Sequence, residues 1–207
     1  MTVRVKLCGL SREEDIRCVN GVLPDYIGFM FYEKSRRFVS PERAAALRKL
    51  LRPEIRAVGV FVNRGEEEIL RIAEICSLDL VQLHGAETPE FVSRIRRVTG
   101  LSVVKAVSMT EGGSGAPLSV WENSDADFLL LDNGKGGTGT AFDHSAIGRV
   151  RKPFFLAGGL NASNVRESVL SVRPYAVDVS SGIETNGVKD PAKITEIMEI
   201  IRRIENE

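Results

Sequence analysis

Several apolar segments of this 207-residue chain end in side chains that can exchange a proton. VRVKLC ends in Cys8, VQLH ends in His84, and FLLLD ends in Asp132. A thiol, an imidazole and a carboxyl group can each serve as an acid or a base. Their shared position at segment ends predicts a site for acid–base chemistry wherever those ends meet.

Cys8 has two interpretations. A lone free cysteine is more often an inert packing residue. As a base it needs thiolate character, and the ordinary pKa of a thiol is about 8.5. Lys6 lies two residues earlier and points to the same side of a strand, where its ammonium either favours the thiolate or forms an internal ion pair. Cys18 and Cys76 fall in predicted helices and are assigned to packing.

Asp132 and His84 also leave alternatives open. A partly desolvated carboxyl group at the end of FLLLD suits a proton donor, but it also suits a helix cap or a loop hydrogen bond. His84 fits a ligand contact, a base or a buried histidine, and ligand contact is favoured. His144 follows AFD at a predicted helix start and is assigned to the surface.

Two segments, LAGGLN and DVSSGIE, place glycines and serines just before predicted helices. Glycine lets the backbone approach a ligand, and N–H groups at helix starts attract anions. The segments predict a phosphate site, although tight turns would give the same pattern. The candidate residues are Gly158, Gly159, Asp178, Ser180, Ser181 and Gly182.

Two further loops carry binding candidates. YEKSRRFVSPE contains Arg36 and Arg37, and an arginine there can hold a carboxylate with two hydrogen bonds, although a charged run is usually solvated surface. The glycine-rich segment 134–139 could close over a phosphate, and EGGSGAP, which includes 112–115, is a candidate mobile loop. The Walker A pattern is missing, which argues against a nucleotide triphosphatase.

These residues need a frame that brings strand ends together. Short segments rich in Val, Ile and Phe alternate with amphipathic ones, which is typical of parallel strands joined by helices. The predicted strands are 3–8, 25–30, 56–62, 78–84, 102–107, 127–132, 153–158 and 176–180. The predicted helices are 12–20, 41–51, 66–76, 88–99, 143–149, 162–171 and 191–204, with a stunted helix in LSVWENS.

Eight strand–helix units indicate an α/β fold, a compact (β/α)8 TIM barrel over residues 1–207 as a single domain. The alternative, an open doubly wound sheet, would normally carry a G-x-G-x-x-G turn after strand 1, and none is present. In such barrels the site forms at the carboxyl ends of the strands, where the candidates above are found.

The composition limits the partners. Lys and Arg total 28, as do Asp and Glu, so binding of nucleic acid through overall charge is not expected. The three cysteines show no metal-binding spacing, and no segment resembles a signal peptide or a membrane span. We therefore expect a cytoplasmic protein without a metal, a nucleic-acid partner or a membrane association.

The motifs together resemble the phosphoribosylanthranilate isomerase family over essentially the whole chain. They are VKLCGL, YIGFMF with SRRFVSPE, VGVFVN, VQLHG, VVKAV, LLD with GGTG and FD, LAGGLN, and VDVSSGIE with GVKD. The resemblance implies an enzyme of tryptophan biosynthesis that rearranges N-(5-phosphoribosyl)anthranilate to 1-(2-carboxyphenylamino)-1-deoxyribulose 5-phosphate. It also implies a phosphorylated small-molecule substrate, no cofactor, and a monomer or homodimer.

The resemblance assigns roles to the candidates. It implies that Cys8 is the general base, Asp132 the general acid, and Arg37 the ligand of the anthranilate carboxylate. It implies that His84 lies near the ligand and that the GGL and SSG turns hold the phosphate. Thr140 and His144 stand where many members have lysine and tryptophan, which leaves the role of the glycine-rich loop open.

Two other functions fit a phosphate-binding barrel. A histidine-pathway sugar isomerase or an indole-glycerol-phosphate synthase would use paired aspartates or a Lys/Glu set, and Cys8 argues against both. A non-catalytic regulatory barrel would lack the acid or the base, and both are present in the sequence.

Overall fold

A closed barrel of eight parallel strands forms the centre of the molecule. The computed structural model describes residues 2–109, 117–132 and 150–205. Each strand pairs with the next along the chain, and β8 pairs with β1 through Lys6 and Asp178, which closes the barrel. The strands are β1 (Arg4–Cys8), β2 (Tyr26–Met30), β3 (Arg56–Phe61), β4 (Leu80–Leu83), β5 (Ser102–Ser108), β6 (Phe128–Asp132), β7 (Phe154–Leu156) and β8 (Ala176–Val179). The predicted (β/α)8 barrel is confirmed.

Helices follow the strands and cover the outside of the barrel. They are α1 (Glu13–Val22), α2 (Pro41–Leu50), α3 (Glu66–Ile75), α4 (Pro89–Thr99), α5 (Leu118–Glu122), α6 (Val165–Val172) and α7 (Pro191–Glu205). The stunted helix expected in LSVWENS is α5. The helix predicted over 143–149 lies outside the described residues, as do His144, Thr140 and the loop segments 112–115 and 134–139. Among the residues described, no helix is long and apolar enough to cross a membrane.

The dipeptides Ser40-Pro41 and Thr88-Pro89 each predict a helix start, and α2 and α4 begin there. The Ser40 and Thr88 hydroxyls accept hydrogen bonds from the backbone N–H groups of Arg43 and Phe91. The S-x-x-E spacing of Ser11 and Glu14 predicts a capping box at the start of α1, and this prediction is wrong. The helix begins one residue later, and Asp15 accepts from the N–H groups of Ser11 and Arg12 with a single carboxylate oxygen.

Apolar side chains form two cores because alternate residues of each strand face opposite ways. The larger core lies between the barrel wall and the helices. A smaller core fills the barrel interior with Tyr26, Val58, Leu80, Val104, Leu130, Phe155, Ala157 and Ala176. Above this plug, towards the carboxyl ends of the strands, the inward residues become polar, and that change provides space and charge for a site.

A short hairpin follows β8 and was not predicted from the sequence. A 3₁₀ turn (Ser181–Ile183) leads into β9 (Glu184–Thr185), which pairs with β10 (Val188–Lys189). Asn186 and Gly187 connect them with φ of 53° and 81°, the left-handed conformation that two-residue hairpin turns need. The Asn-Gly dipeptide was a usable signal for this hairpin.

Candidate active site

Cys8 and Asp132 both face into the barrel at its carboxyl-end rim. Leu130 belongs to the interior core, so Asp132, two residues on, faces the same way. Lys6 pairs in register with Tyr26 of the interior core and with Asp178 on the adjacent strand β8, so Lys6 and Cys8, two residues on, also point inward. The two residues are 5% and 8% exposed, and their strands lie three positions apart around the closed barrel. The thiol and the carboxyl group therefore border the same mouth.

The Cys8 thiol sits against backbone and beside two ammonium groups. A Cβ built on Gly28 would lie 2.6 Å from the sulfur, so only glycine leaves room for it there. Burial raises the pKa of Cys8, and the positive charges of Lys6 and Lys189 lower it, while the charge of Asp178 raises it. Burial dominates, so the pKa of the thiol lies above its ordinary value.

Lys6 forms the internal ion pair that the sequence left as one of two alternatives. Its ammonium donates to Asp178 Oδ2 at 2.9 Å. Burial acts to lower the pKa of Lys6, and the negative charges of Asp178 and the Cys8 thiolate outweigh it, so this pKa is raised. Asp178 Oδ1 is buried and has no hydrogen-bond partner among the described residues. Lys6 is therefore a permanent cation next to the thiol.

His84 connects Asp132 to the wall of the barrel. Its Nδ1 lies 2.8 Å from Gln82 Nε2, and its Nε2 lies 3.5 Å from Asp132 Oδ2. If the amide N–H is the donor to Nδ1, the neutral imidazole carries its proton on Nε2, facing the carboxyl group. Within the described chain, Asp132 Oδ1 and Gln82 Oε1 are buried without a partner. Polar atoms left open at this rim are available to a ligand.

Arg37 turns inward, whereas Arg36 remains largely in solvent. The Arg37 side chain is 13% exposed and that of Arg36 is 58% exposed. Arg37 packs over Gly9, where an added Cβ would lie 2.5 Å from the arginine Cδ, and Gly9 has a φ of 82°. The aliphatic part of the Arg37 side chain therefore lies beside the residue that follows Cys8.

The loops after β7 and β8 touch one another. Gly158 and Gly159 have φ of 90° and 70°, and a Cβ added to Gly182 would collide with the Leu160 carbonyl oxygen. The first N–H groups of the turn that begins at Ser181 have no acceptor within it. The Ser180 hydroxyl donates to the Cys8 carbonyl oxygen at 3.2 Å. The loops thus bring backbone N–H groups that need an acceptor to the rim that holds Cys8.

Sequence reasoning missed three residues of this neighbourhood, namely Gln82, Glu184 and Lys189. Gln82 is inward-facing by strand alternation from Leu80, which was a usable signal. Glu184 and Lys189 belong to the unpredicted hairpin. In residues 2–109, 117–132 and 150–205, no group of three or more His, Cys, Asp or Glu side chains is arranged to hold a metal ion.

Comparison with known proteins identifies the family. The family model described as N-(5'-phosphoribosyl)anthranilate (PRA) isomerase matches residues 5–200. The chain belongs to this family. It is 42% identical over 205 residues to the N-(5'-phosphoribosyl)anthranilate isomerase of Endomicrobium trichonymphae, covering 97% of this chain and 99% of the relative.

Solved structures of the same family agree. The Thermus thermophilus phosphoribosyl anthranilate isomerase superposes with a TM-score of 0.87 at 35% identity, covering 98% of this chain and all of that one. A phosphoribosyl anthranilate isomerase complexed with reduced 1-(o-carboxyphenylamino)-1-deoxyribulose 5-phosphate superposes with a TM-score of 0.82, also at 35% identity and with the same coverage. The protein is an aldose–ketose isomerase of tryptophan biosynthesis that rearranges N-(5-phosphoribosyl)anthranilate.

Proposed function

We propose that Cys8 is the general base and Asp132 the general acid of this isomerisation. The observation that supports the assignment is that a thiol and a carboxyl group face inward at one rim of the barrel. We also assign Arg37 to the substrate carboxylate, His84 to the ligand's surroundings, and the loops after β7 and β8 to the phosphate. Backbone groups of that phosphate site come from Gly158, Gly159, Ser181 and Gly182. Its edge is formed by Asp178 and Ser180.

The reaction moves protons without a net change in atoms. Asp132 gives its proton to the ribose ring oxygen as the bond from that oxygen to C1 breaks, and the nitrogen lone pair forms an iminium at C1. Cys8 thiolate then removes the proton from C2, and the C–H electron pair forms the enolamine as the iminium is neutralised. The enolamine tautomerises to the ketone as the proton of its C2 hydroxyl is lost and C1 gains one. Cys8 then gives up the proton that it took and Asp132 takes one up, which restores the starting state of both residues.

The charge of the intermediate helps a thiol whose pKa is raised by burial. The iminium is a cation that forms next to Cys8, so it favours the thiolate in the same way as Lys6 and Lys189 do. The fraction of Cys8 in the thiolate form, which can accept a proton, therefore rises as the intermediate forms, and this suits the thiol to remove the C2 proton. An acid and a base suffice for these steps, so we propose that no cofactor takes part.

Two anionic groups of the substrate can fix its orientation. Arg37 offers hydrogen bonds to a carboxylate at one end, and the glycine-rich turns offer backbone N–H groups to a phosphate at the other. Holding both ends fixes the reacting atoms relative to the acid and the base, and such positioning contributes much of the rate enhancement. A small phosphorylated ligand therefore suits the site better than a macromolecule.

We extend the proposal to the whole protein. We propose that residues 1–207 form one domain, that the protein works in the cytoplasm as a monomer or homodimer, and that it binds no nucleic acid. The balanced charge, with 28 acidic and 28 basic side chains, supports the last point.

Substitution of the acid and the base tests the assignment. We expect Cys8→Ala and Asp132→Asn each to lower kcat by about 10³-fold or more, because each removes a proton-transfer group. Binding of the reduced product analogue should stay within about threefold of the unmodified enzyme, because neither change removes an anion-binding group. Cys18→Ala, on α1, is the matched control and should keep normal turnover. A near-normal kcat for Cys8→Ala would show that another group is the base.

A further inference from the structure

Glu184 lies at the centre of a buried cluster of charges next to the site. Its carboxylate comes from β9 in the hairpin after β8, and its side chain is 4% exposed. Arg37 donates to it from Nε at 2.6 Å and from Nη2 at 3.0 Å. Arg36 Nη2 and Lys189 Nζ each donate to it at 2.7 Å. One carboxylate therefore holds three cations.

The two bonds to Arg37 use one edge of the guanidinium. Arginine has five N–H donors in a rigid planar fork, so binding Nε and Nη2 fixes the plane and the direction of the group. Nη1 has no acceptor among the described residues, and Nη2 keeps a second N–H. The end-on edge, which consists of Nη1 and Nη2, stays open for a second carboxylate.

The balance of charge suits an anionic ligand. Three cations surround one carboxylate, so the cluster keeps a positive excess after Glu184 is bound. Burial acts to raise the pKa of Glu184, and the hydrogen bonds from Arg37 and Lys189 outweigh it, so this pKa is lowered. Glu184 therefore stays ionised while the cluster attracts a second anion.

The hairpin also connects this cluster to Cys8. Lys189 donates to the Ser180 carbonyl oxygen at 2.9 Å as well as to Glu184, and the Ser180 hydroxyl donates to the Cys8 carbonyl oxygen. On the other side, the Arg37 side chain packs on Gly9. The arginine is thereby held at a fixed position relative to the thiol.

We propose that Glu184 is a positioning residue that directs the open edge of Arg37 towards the carboxylate of the substrate. The inference rests on the proposed function, in which Arg37 binds that carboxylate. Glu184 acts through Arg37 and touches no reacting atom. Without it, the arginine would lose its fixed direction and would have to be ordered again each time a substrate binds.

Two ligands isolate this role in binding measurements. One is reduced 1-(o-carboxyphenylamino)-1-deoxyribulose 5-phosphate, and the other is the same compound without its ring carboxylate. We expect Glu184→Gln to weaken binding of the carboxylated ligand about tenfold and binding of the decarboxylated ligand less than about twofold. Equal losses for both ligands would show a merely structural role, and tighter binding of the carboxylated ligand would show that Glu184 competes with it. Either result overturns the proposal.

Matched variants separate the inference from the assignment on which it rests. Arg37→Ala should produce the same carboxylate-specific loss; if it does not, the clamp itself is wrongly assigned. If Arg37→Ala does and Glu184→Gln does not, only the positioning role fails. Asp79→Asn removes a carboxylate that binds Arg48 and the Ala57 N–H group at the opposite end of the barrel, and it should affect neither ligand.

A second variant keeps the test usable if Glu184→Gln does not fold. Glu184→Asp keeps the charge but shortens the side chain by one methylene. We therefore expect a smaller loss of affinity that is still confined to the carboxylated ligand. Loss of both ligands to the same extent in Glu184→Asp would contradict the positioning role.

Discussion

At the scale of single residues, burial and neighbouring charge act on Cys8 in opposite directions. Burial raises the pKa of the thiol, and Lys6 and Lys189 partly offset that rise. The same burial keeps solvent away from the sulfur, because Cys8 as a whole is only 5% exposed. The expected outcome is a base that is mostly protonated in the free enzyme at neutral pH and becomes a thiolate as the pH rises.

The pH dependence of kcat/KM tests this property. Because the base must be deprotonated and its pKa is raised in the folded protein, kcat/KM should increase by up to about tenfold per pH unit between pH 7 and 9. The absorbance of the thiolate near 240 nm, taken as the difference between the unmodified enzyme and Cys8→Ala, should titrate over the same range.

Cys18→Ala is the control for that profile, because Cys18 lies half-buried on α1 rather than on a strand of the barrel. Its profile should coincide with that of the unmodified enzyme. A kcat/KM that is flat from pH 7 to 9 would contradict a thiol base with a raised pKa.

At the scale of elements, buried ionic contacts outside the barrel hold the rim loops. Lys105 on β5 donates to the carbonyl oxygens of Leu83 and Gly85 and to Glu87 at 2.8 Å. Glu87 in turn accepts from the N–H groups of Asn63 and Gly85. These bonds join the ends of β3, β4 and β5 and so support the segment that carries His84.

The loops after β7 and β8 depend on close contact rather than on charge. A side chain at Gly182 would meet the Leu160 carbonyl oxygen, which is backbone and has little room to move. Gly182→Ala should therefore separate the loops and cost about 1–3 kcal/mol of stability. We expect KM for the phosphorylated substrate to rise about tenfold or more, with a smaller effect on kcat.

Gly21→Ala provides the matched control in steady-state kinetics and urea unfolding. A Cβ at this helical position on α1 has no neighbour within 4 Å, so the change should leave KM unaltered and favour the helix by about 1 kcal/mol. If Gly182→Ala keeps the KM of the unmodified enzyme, the contact between the two loops does not shape the phosphate site.

At the scale of the whole molecule, the outer core contributes to the response of stability to pH. Cys76 directly follows α3, is fully buried, and donates from its thiol to the Pro41 carbonyl oxygen at 3.3 Å. Burial and the negative charge of Glu42 raise its pKa to about 11. Its contribution to stability is therefore complete below the pKa of the unfolded thiol and is lost as the pH rises through the folded value.

Urea unfolding of Cys76→Ala at pH 8 and near pH 10.5 tests this effect. At pH 8 the variant should be less stable by about 1 kcal/mol, because it loses packing and a hydrogen bond. At the higher pH the difference should shrink, because only the unmodified protein has this thiol to deprotonate. Lysines and tyrosines are common to both proteins, so their effects cancel. A difference that stays constant between the two pH values would contradict the assignment.

The barrel and the proton-transfer candidates could be predicted from the sequence because both depend on local order. Apolar segments alternating with capped helices specify strand–helix units, and eight such units close into a barrel. Since all parallel strands end at one rim, the last residues of each segment identified Cys8, His84 and Asp132. The start of α1 differs by one residue because Asp15, and not Glu14, accepts hydrogen bonds from the N–H groups of Ser11 and Arg12.

By itself, then, the sequence determined the fold and the family of this protein, together with the residues that carry its proposed acid and base. Only the tertiary structure decided which charges act on them. Lys6 meets Asp178 across 172 positions of sequence, and Arg37 meets Glu184 across 147. The physical reason is that closing the barrel brings the last strand against the first, and no local pattern encodes the geometry of charges that meet there.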